Sequence, residues 1–468
     1  MTPFIMTPFI KKLFPIILKY IEENLQQDTP VVHFETHDVL KSQLNLAIGE
    51  EGVSVDELLM FIENQYLKYS VRTGHRQFFN QLFGGFSSVG FLGDVVTSLT
   101  NTSMYTYEVA PVAALLEKEV LNKMLSLVGF KHGDGTFVTG GSNANYMALL
   151  CARNKTDPTI KKLGFANSAL VLFVSDQAHY SFERAADLLG IGSNNLVKIK
   201  TDNNGQMMVD ELQKEIVSHL EQGKKPFFVA ATAGTTVLGA FDPIDEIAQL
   251  AKQYDMWFHI DGAFGGSVLL SRQHRYLLDG SELADSFTWD AHKMMGATLM
   301  CSAFLIKEPN FLKQTCAVGG TEYLYHDEDE CYDLGQISLQ CGRRVDVLKL
   351  WLLWKHYGDR GYEVCIDRIF ELAKYATQQV AEHPNLELMA PTQSLNICFR
   401  YRPNYQTDIN AFNLALREQL RRSGKTLVNY AIIKENVVIR LVIVNFELSK
   451  TDIDTFFANV LSVAKTLS

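Results

Sequence analysis

From about residue 107 onward, apolar and polar positions switch repeatedly between a helical period and short unbroken apolar runs. Residues 107–127 carry apolar side chains at helical spacing, and 145–153 predict a second helix after a Gly-rich turn. Apolar runs then recur at 169–175, 226–232, 256–261, 286–289 and 301–307, each the length of a strand and too uniformly apolar to have a solvated face. A helical pattern at 245–254 separates the second run from the third. Strand, helix, strand at this spacing requires crossover connections, and so predicts a mostly parallel sheet covered by helices on both faces. Past about residue 340 the pattern changes. Strongly helical stretches at 345–357 and 363–382, short strands near 395–401 and 437–444, and a last helix from about Thr451 predict a smaller α+β domain. The first 25 residues, which contain the duplicated TPFI, read as an amphipathic helix. A basic pair interrupts their apolar run, unlike the core of a signal peptide.

Composition narrows the function classes. The chain has 468 residues, 47% hydrophobic and 21% charged, with a formal net charge of −10. These values suit a folded globular protein and argue against a nucleic-acid surface built on bulk positive charge. No run approaches the roughly 18 to 20 apolar residues of a membrane span. The seven cysteines show neither CxxC pairs nor finger-like spacing, so no disulfide framework or zinc module is indicated, and a reducing, cytoplasmic setting is expected.

In parallel sheets ligands bind beyond the carboxyl ends of the strands, and four polar clusters fall there. Thr139 to Asn145 is a Gly-rich turn entering a helix, suited to holding a phosphate on free backbone N–H groups; it has neither a Walker lysine nor a GxGxxG fingerprint. His179 follows the 169–175 run. Asp261 ends the 256–261 run and is followed by residues too small to obstruct anything stacked above them. Lys293 follows the 286–289 run. Each alone has a bland reading as a turn, a structural histidine, an ion-paired acid or a solvated lysine. Together they are an anchor, a flat ring, a carboxylate and an amine, the parts needed to hold pyridoxal phosphate.

Longer motifs carry a resemblance to the group II pyridoxal-phosphate decarboxylases, which act on glutamate, cysteine sulfinate, aspartate, aromatic amino acids and diaminobutyrate. The segment from His75 to Leu82 is similar to the family's HPxFFNQL, with Arg76 in place of proline. Asn101 to Glu108 is similar to NTxxxTYE. Asp134 to Asn145, Gly234 to Asp242, Asp261 to Gly266, His292-Lys293 and Gln340 to Asp346 match further family segments. The resemblance implies the pyridoxal-phosphate transferase fold of type I, an α/β architecture with a large domain at 76–340 and a small C-terminal α+β domain at 341–468. An N-terminal helical segment, 1–75, is expected to contact the second subunit of a homodimer.

Site residues follow by the same resemblance. Lys293 is expected to bind the cofactor covalently, with His179 on one face of its ring and Ala263 on the other. Asp261 is expected to pair with the ring nitrogen, Gly141, Ser142 and His292 with the phosphate, and Thr236 to lie near the ring oxygen. Arg440 is expected to bind a substrate carboxylate, and Tyr323, on a loop reaching the partner's site, to return a proton after decarboxylation. Ser103 and Tyr105 match the cysteine-sulfinate and aspartate branch and, with Gln81, offer hydroxyl and amide donors to a second acidic group, which implies a small acidic L-amino acid as substrate, with cysteine sulfinate, aspartate and glutamate all open. An aromatic or diaminobutyrate decarboxylase and a catalytically silent binding protein are the rival readings. Two departures stand out: Asp290, where animal relatives carry asparagine, and an acidic run at 326–330 in a loop shorter than theirs.

Overall fold

Three parallel strands, Lys225–Thr232, Trp257–Asp261 and Ser286–Asp290, lie side by side in the computed structural model, with Thr232 opposite Asp261 and Asp261 opposite Thr288. The structure describes residues 6–26, 28–165, 169–321, 323–325, 332–405 and 408–467; the acidic run at 326–330 lies outside them. The three strands are the centre of a seven-stranded sheet whose order is Asp134–Val138, Ser302–Ile306, Ser286–Asp290, Trp257–Asp261, Lys225–Thr232, Leu170–Ser175, Leu196–Ile199. Ser302–Ile306 runs antiparallel to both its neighbours and the other pairings are parallel. All five strands expected from the apolar runs form, each within one residue of its expected ends. Parallel strands must be buried on both faces, and the Leu170–Ser175 strand is fully buried.

Alternation along that strand sets the packing. Leu170, Leu172 and Val174 join one core cluster with Ala144, Met147, Ala148 and Cys151 of the helix Gly141–Thr156. Burying each large aliphatic side chain in such a layer contributes about 1.5–3 kcal/mol. The small residues on the helix let it lie close to the sheet, which brings its first turn to the carboxyl ends of the strands.

Helix boundaries differ from expectation where caps intervene. The helix expected from 107 begins at Pro111. Proline suits a first helical position because it lacks the N–H that would go unused there, and the Tyr107 amide instead donates to Asp333 Oδ1 at 2.9 Å. The two helices expected at 345–357 and 363–382 form within Val347–Glu382 as two helices meeting at a kink, where Gly358 is non-helical (φ 61°, ψ 179°).

The chain divides into two compact units. One comprises Ser87–Glu371 and Ala390–Asn396 and contains the seven-stranded sheet; the other comprises Met1–Phe86, Leu372–Met389 and Ile397–Ser468. In the second, a five-stranded sheet has the order Phe78–Phe79, Leu427–Ile433, Asn436–Val442, Asn396–Tyr401, Leu386–Leu388. The N-terminal residues join it through Phe78–Phe79, which runs parallel to Leu427 and Val428. The amphipathic N-terminal helix forms over Met6–Glu23. Among the described residues no helix is long and apolar enough to cross a membrane.

Candidate active site

The carboxyl ends of the central strands carry Asp261 and Asp290, and the turn after the latter carries His292 and Lys293. Lys293 Nζ lies 3.1 Å from Asp290 Oδ2. Asp290 is 2% exposed, and its Oδ1 has no hydrogen-bond partner among the described residues. His292 Nε2 stands 3.7 Å from Asp290 Oδ2, too far for a hydrogen bond. Its Nδ1 edge faces the Cys301 backbone, 3.0 Å from the carbonyl oxygen. Burial holds the His292 pKa below its ordinary value, against the pull of Asp290.

Gly141 opens the helix above this cluster. A Cβ there would meet Asp290 Oδ2 at 2.8 Å and Ala263 Cβ at 3.2 Å, so any larger residue would fill the space between helix and strand ends. The helix starts without a side-chain cap; the Asn143 and Ala144 amides donate to the Gly140 carbonyl, and those of Gly141 and Ser142 precede the intrahelical bonds, with the positive end of the helix dipole behind them. A cradle kept open by a missing Cβ, uncapped amides and a nearby amine fit the phosphate and aldehyde ends of pyridoxal phosphate. Ser142 is half-buried in the same turn.

Asp261 is buried and held from two sides. Its Oδ2 accepts from Asn145 Nδ2 at 2.9 Å and its Oδ1 from the Ala263 amide at 3.1 Å. Ala263 and the glycines after it permit close approach: a Cβ on Gly265 would come within 2.5 Å of the Ala233 carbonyl. The turn from Gly234 to Gly239, which carries half-buried Thr236, packs against Phe264 and Gly265 and is tied by Asn396 Nδ2, which donates to the Thr236 carbonyl at 3.0 Å. His179 follows the Leu170–Ser175 strand; its Nδ1 accepts from the Ser181 amide at 3.2 Å. Burial lowers the His179 pKa, with Asp261 opposing and Lys293 adding to the shift. A neutral, flat imidazole results at neutral pH.

The structure thus brings together Gly141, Ser142, His179, Asp261, Ala263, His292 and Lys293, with the Thr236 turn beside Ala263. Ser103 and Tyr105 belong to another stretch of the same unit. The Ser103 hydroxyl accepts from the Arg343 amide at 3.2 Å, and the Met104 amide donates to the Arg343 carbonyl at 3.0 Å. The Tyr105 carbonyl accepts from Gly335 at 2.9 Å. Arg343 is itself fixed by a buried two-pronged pair with Glu117, at 2.5 and 2.8 Å. Tyr323 is 80% exposed, on a turn in which the amides of Leu324 and Tyr325 donate to the Thr321 carbonyl.

Gln81 and Arg440 belong to the other unit. Gln81 is half-buried. Arg440 lies in the Asn436–Val442 strand, 6% exposed, and its NH2 donates to the Asn80 carbonyl at 3.2 Å. Burial lowers its pKa, yet a guanidinium stays charged at any physiological pH.

Sequence reasoning gave no role to Asn145 and His259, although both sit inside motifs it quoted. The available signal was alternation: Trp257, His259 and Asp261 occupy positions i, i+2 and i+4 of one strand, hence one face of the sheet, whereas Phe258 and Ile260 occupy the other.

Comparison with known proteins agrees with this geometry. Residues 38–402 match the pyridoxal-dependent decarboxylase conserved domain. The chain is 37% identical to the cysteine sulfinic acid decarboxylase of Mus musculus, over 97% of this chain and 95% of that one. It is 36% identical to an acidic amino acid decarboxylase of Mus musculus, over 97% of this chain and 84% of that one. The crystal structure of mouse CSAD in apo form superposes with a TM-score of 0.95 at 37% identity, covering 99% of both chains.

Proposed function

Because the chain belongs to the pyridoxal-dependent decarboxylase family, we propose that it releases carbon dioxide from a small acidic L-amino acid, with cysteine sulfinate, aspartate and glutamate as the candidates. The observation that carries the reading is the cluster of Lys293, Asp261 and the Gly141 cradle in a chain this similar to a cysteine sulfinic acid decarboxylase. Pyridoxal phosphate, when bound, supplies an electron sink for the pair left at Cα as the carboxylate departs. The chain's own residues hold that group and aim the substrate.

Gly141 and Ser142 bind the phosphate through the uncapped first turn, and His292 flanks it. Asp261, fixed by its two donors, would pair with the ring nitrogen. His179, neutral through burial, would stack on one face of the ring, Ala263 would leave room on the other, and Thr236 would serve the ring oxygen. Lys293 supplies the amine for covalent attachment. Arg440 has the planar fork suited to a substrate carboxylate, and Gln81, Ser103 and Tyr105 each carry a donor suited to a second acidic group. Tyr323 returns a proton to Cα.

We infer a homodimer in which Tyr323 serves the partner's site; its exposure on its own chain supports that use. The assay is release of labelled carbon dioxide from the three acidic amino acids by protein reconstituted with pyridoxal phosphate. Failure to release it from any of them would overturn the reading.

A further inference from the structure

Behind Asp261 lies a chain of hydrogen bonds reaching from one end of the Trp257–Asp261 strand to the other. Trp257 Nε1 donates to Ser286 Oγ at 2.8 Å. Ser286 Oγ lies 2.8 Å from His259 Nδ1, and His259 Nε2 lies 3.1 Å from Asn145 Oδ1. Asn145 Nδ2 then donates to Asp261 Oδ2 at 2.9 Å. The strand pairing accounts for the assembly. His259 stands opposite Ser286 and Asp261 opposite Thr288, so alternate residues of two neighbouring strands share the face that Asn145 covers from the helix.

The direction of every hydrogen in this chain is determined by its ends. A carboxylate accepts, so Asn145 gives its N–H to Asp261 and turns its oxygen to His259 Nε2; an indole N–H can only donate, so Ser286 Oγ receives from Trp257 and keeps its own hydrogen for His259 Nδ1. His259 is 0% exposed and stacked at 27° on Phe228, an apolar setting that excludes its charged form; burial pulls its pKa to about 3. A neutral ring accepting at Nδ1 carries its hydrogen on Nε2, facing Asn145 Oδ1. The opposite tautomer would set two lone pairs against each other at 3.1 Å. Thr288 Oγ1 donates to the same Asn145 oxygen at 2.9 Å, and Asn145 Nδ2 also reaches Ser181 Oγ at 2.9 Å. The amide is therefore locked with its N–H toward the carboxylate.

We propose that Trp257, Ser286, His259 and Asn145 are positioning residues that hold the Asp261 side chain oriented toward the cofactor's ring nitrogen. The proposal rests on the reading of Asp261 as the ring's partner. Each bond in the series donates toward Asp261, so the carboxylate is met by donors, from Asn145 and from the Ala263 amide. Polarisation along such a series strengthens its last bond.

The test measures pyridoxal phosphate affinity of the apoprotein and the visible-to-near-ultraviolet absorbance ratio of the bound cofactor. Removing one hydrogen bond to a carboxylate, as in Asn145→Ala, is expected to weaken cofactor binding by about tenfold and to lower the visible fraction. His259→Leu should shift both readouts in the same direction, and His259→Gln, whose amide can donate to Asn145 Oδ1, should recover them. Trp257→Phe keeps an aromatic ring and releases only the donor that sets the direction, so it stands in if His259→Leu does not fold, with a smaller shift of the same sign. Wild-type readouts in Asn145→Ala, or equal behaviour of His259→Leu and His259→Gln, would overturn the proposal while unmodified protein still binds cofactor and decarboxylates. An unmodified protein that binds no cofactor would instead remove the reading on which the proposal rests.

Discussion

Replacing Asp290 with asparagine removes one buried negative charge from beside the phosphate cradle while keeping the side chain's shape. A Cβ on Gly141 would sit 2.8 Å from Asp290 Oδ2, so an anion seated on the first turn of that helix lies about 5 Å from the carboxylate. At an effective dielectric of about 20 the repulsion is about 3 kcal/mol per unit charge. Allowing for the hydration and relaxation that reduce such sums, Asp290→Asn should bind pyridoxal phosphate about 10- to 100-fold more tightly, equivalent to about 1.4–2.8 kcal/mol. Titration of the apoprotein, followed by the cofactor's visible absorbance, measures it. Unchanged or weaker binding would refute the electrostatic reasoning.

Further outcomes follow from the same geometry. Lys293→Ala should abolish turnover, read as carbon dioxide release; substantial remaining activity would remove its assigned role. Tyr323→Phe should retain bound cofactor but divert product from amine toward aldehyde, which chromatography of the products distinguishes. Glu117→Ala strands the Arg343 guanidinium, 9% exposed, and should cost about 3–5 kcal/mol in a denaturant melt, with a loss below about 1 kcal/mol contradicting the pair's burial. His259 has its pKa lowered to about 3 in the fold and near its ordinary value when unfolded, so the unfolded chain binds the extra proton between those limits. Stability should therefore fall as pH drops through that window, by about 1.4 kcal/mol per unit where His259 dominates. His259→Gln should flatten that part of the urea-midpoint profile.

Much of the central sheet was legible because its strands are buried on both faces and so appear as unbroken apolar runs with a polar residue at the carboxyl end: Asp261 and the Asp290-to-Lys293 turn were found that way. Five strands escaped notice, among them Phe78–Phe79 and Leu386–Leu388, which are too short to show a pattern. Asp134–Val138 reads as a glycine-containing turn, Leu196–Ile199 is a short, half-buried strand with an exposed lysine, and Leu427–Ile433 has Asn429 and Tyr430 interrupting its pattern. The helix starting at Pro111 was placed early because apolar spacing does not register which backbone amides a distant side chain such as Asp333 will take. Pairings between residues far apart in sequence, such as Asn145 with Asp261 or Glu117 with Arg343, depend on strand order, and local periodicity carries no information about that. The residues of the cofactor cluster were recognisable by type and spacing. That the Ser103 hydroxyl is engaged by the Arg343 backbone was not.

The measurement closest to the central claim is kcat/KM for carbon dioxide release from cysteine sulfinate, aspartate, glutamate, diaminobutyrate and DOPA, with pyridoxal phosphate saturating. A site built around a guanidinium and hydroxyl or amide donors should favour at least one acidic amino acid over diaminobutyrate and DOPA by about 100-fold or more. A higher value for DOPA or diaminobutyrate than for every acidic amino acid would contradict it.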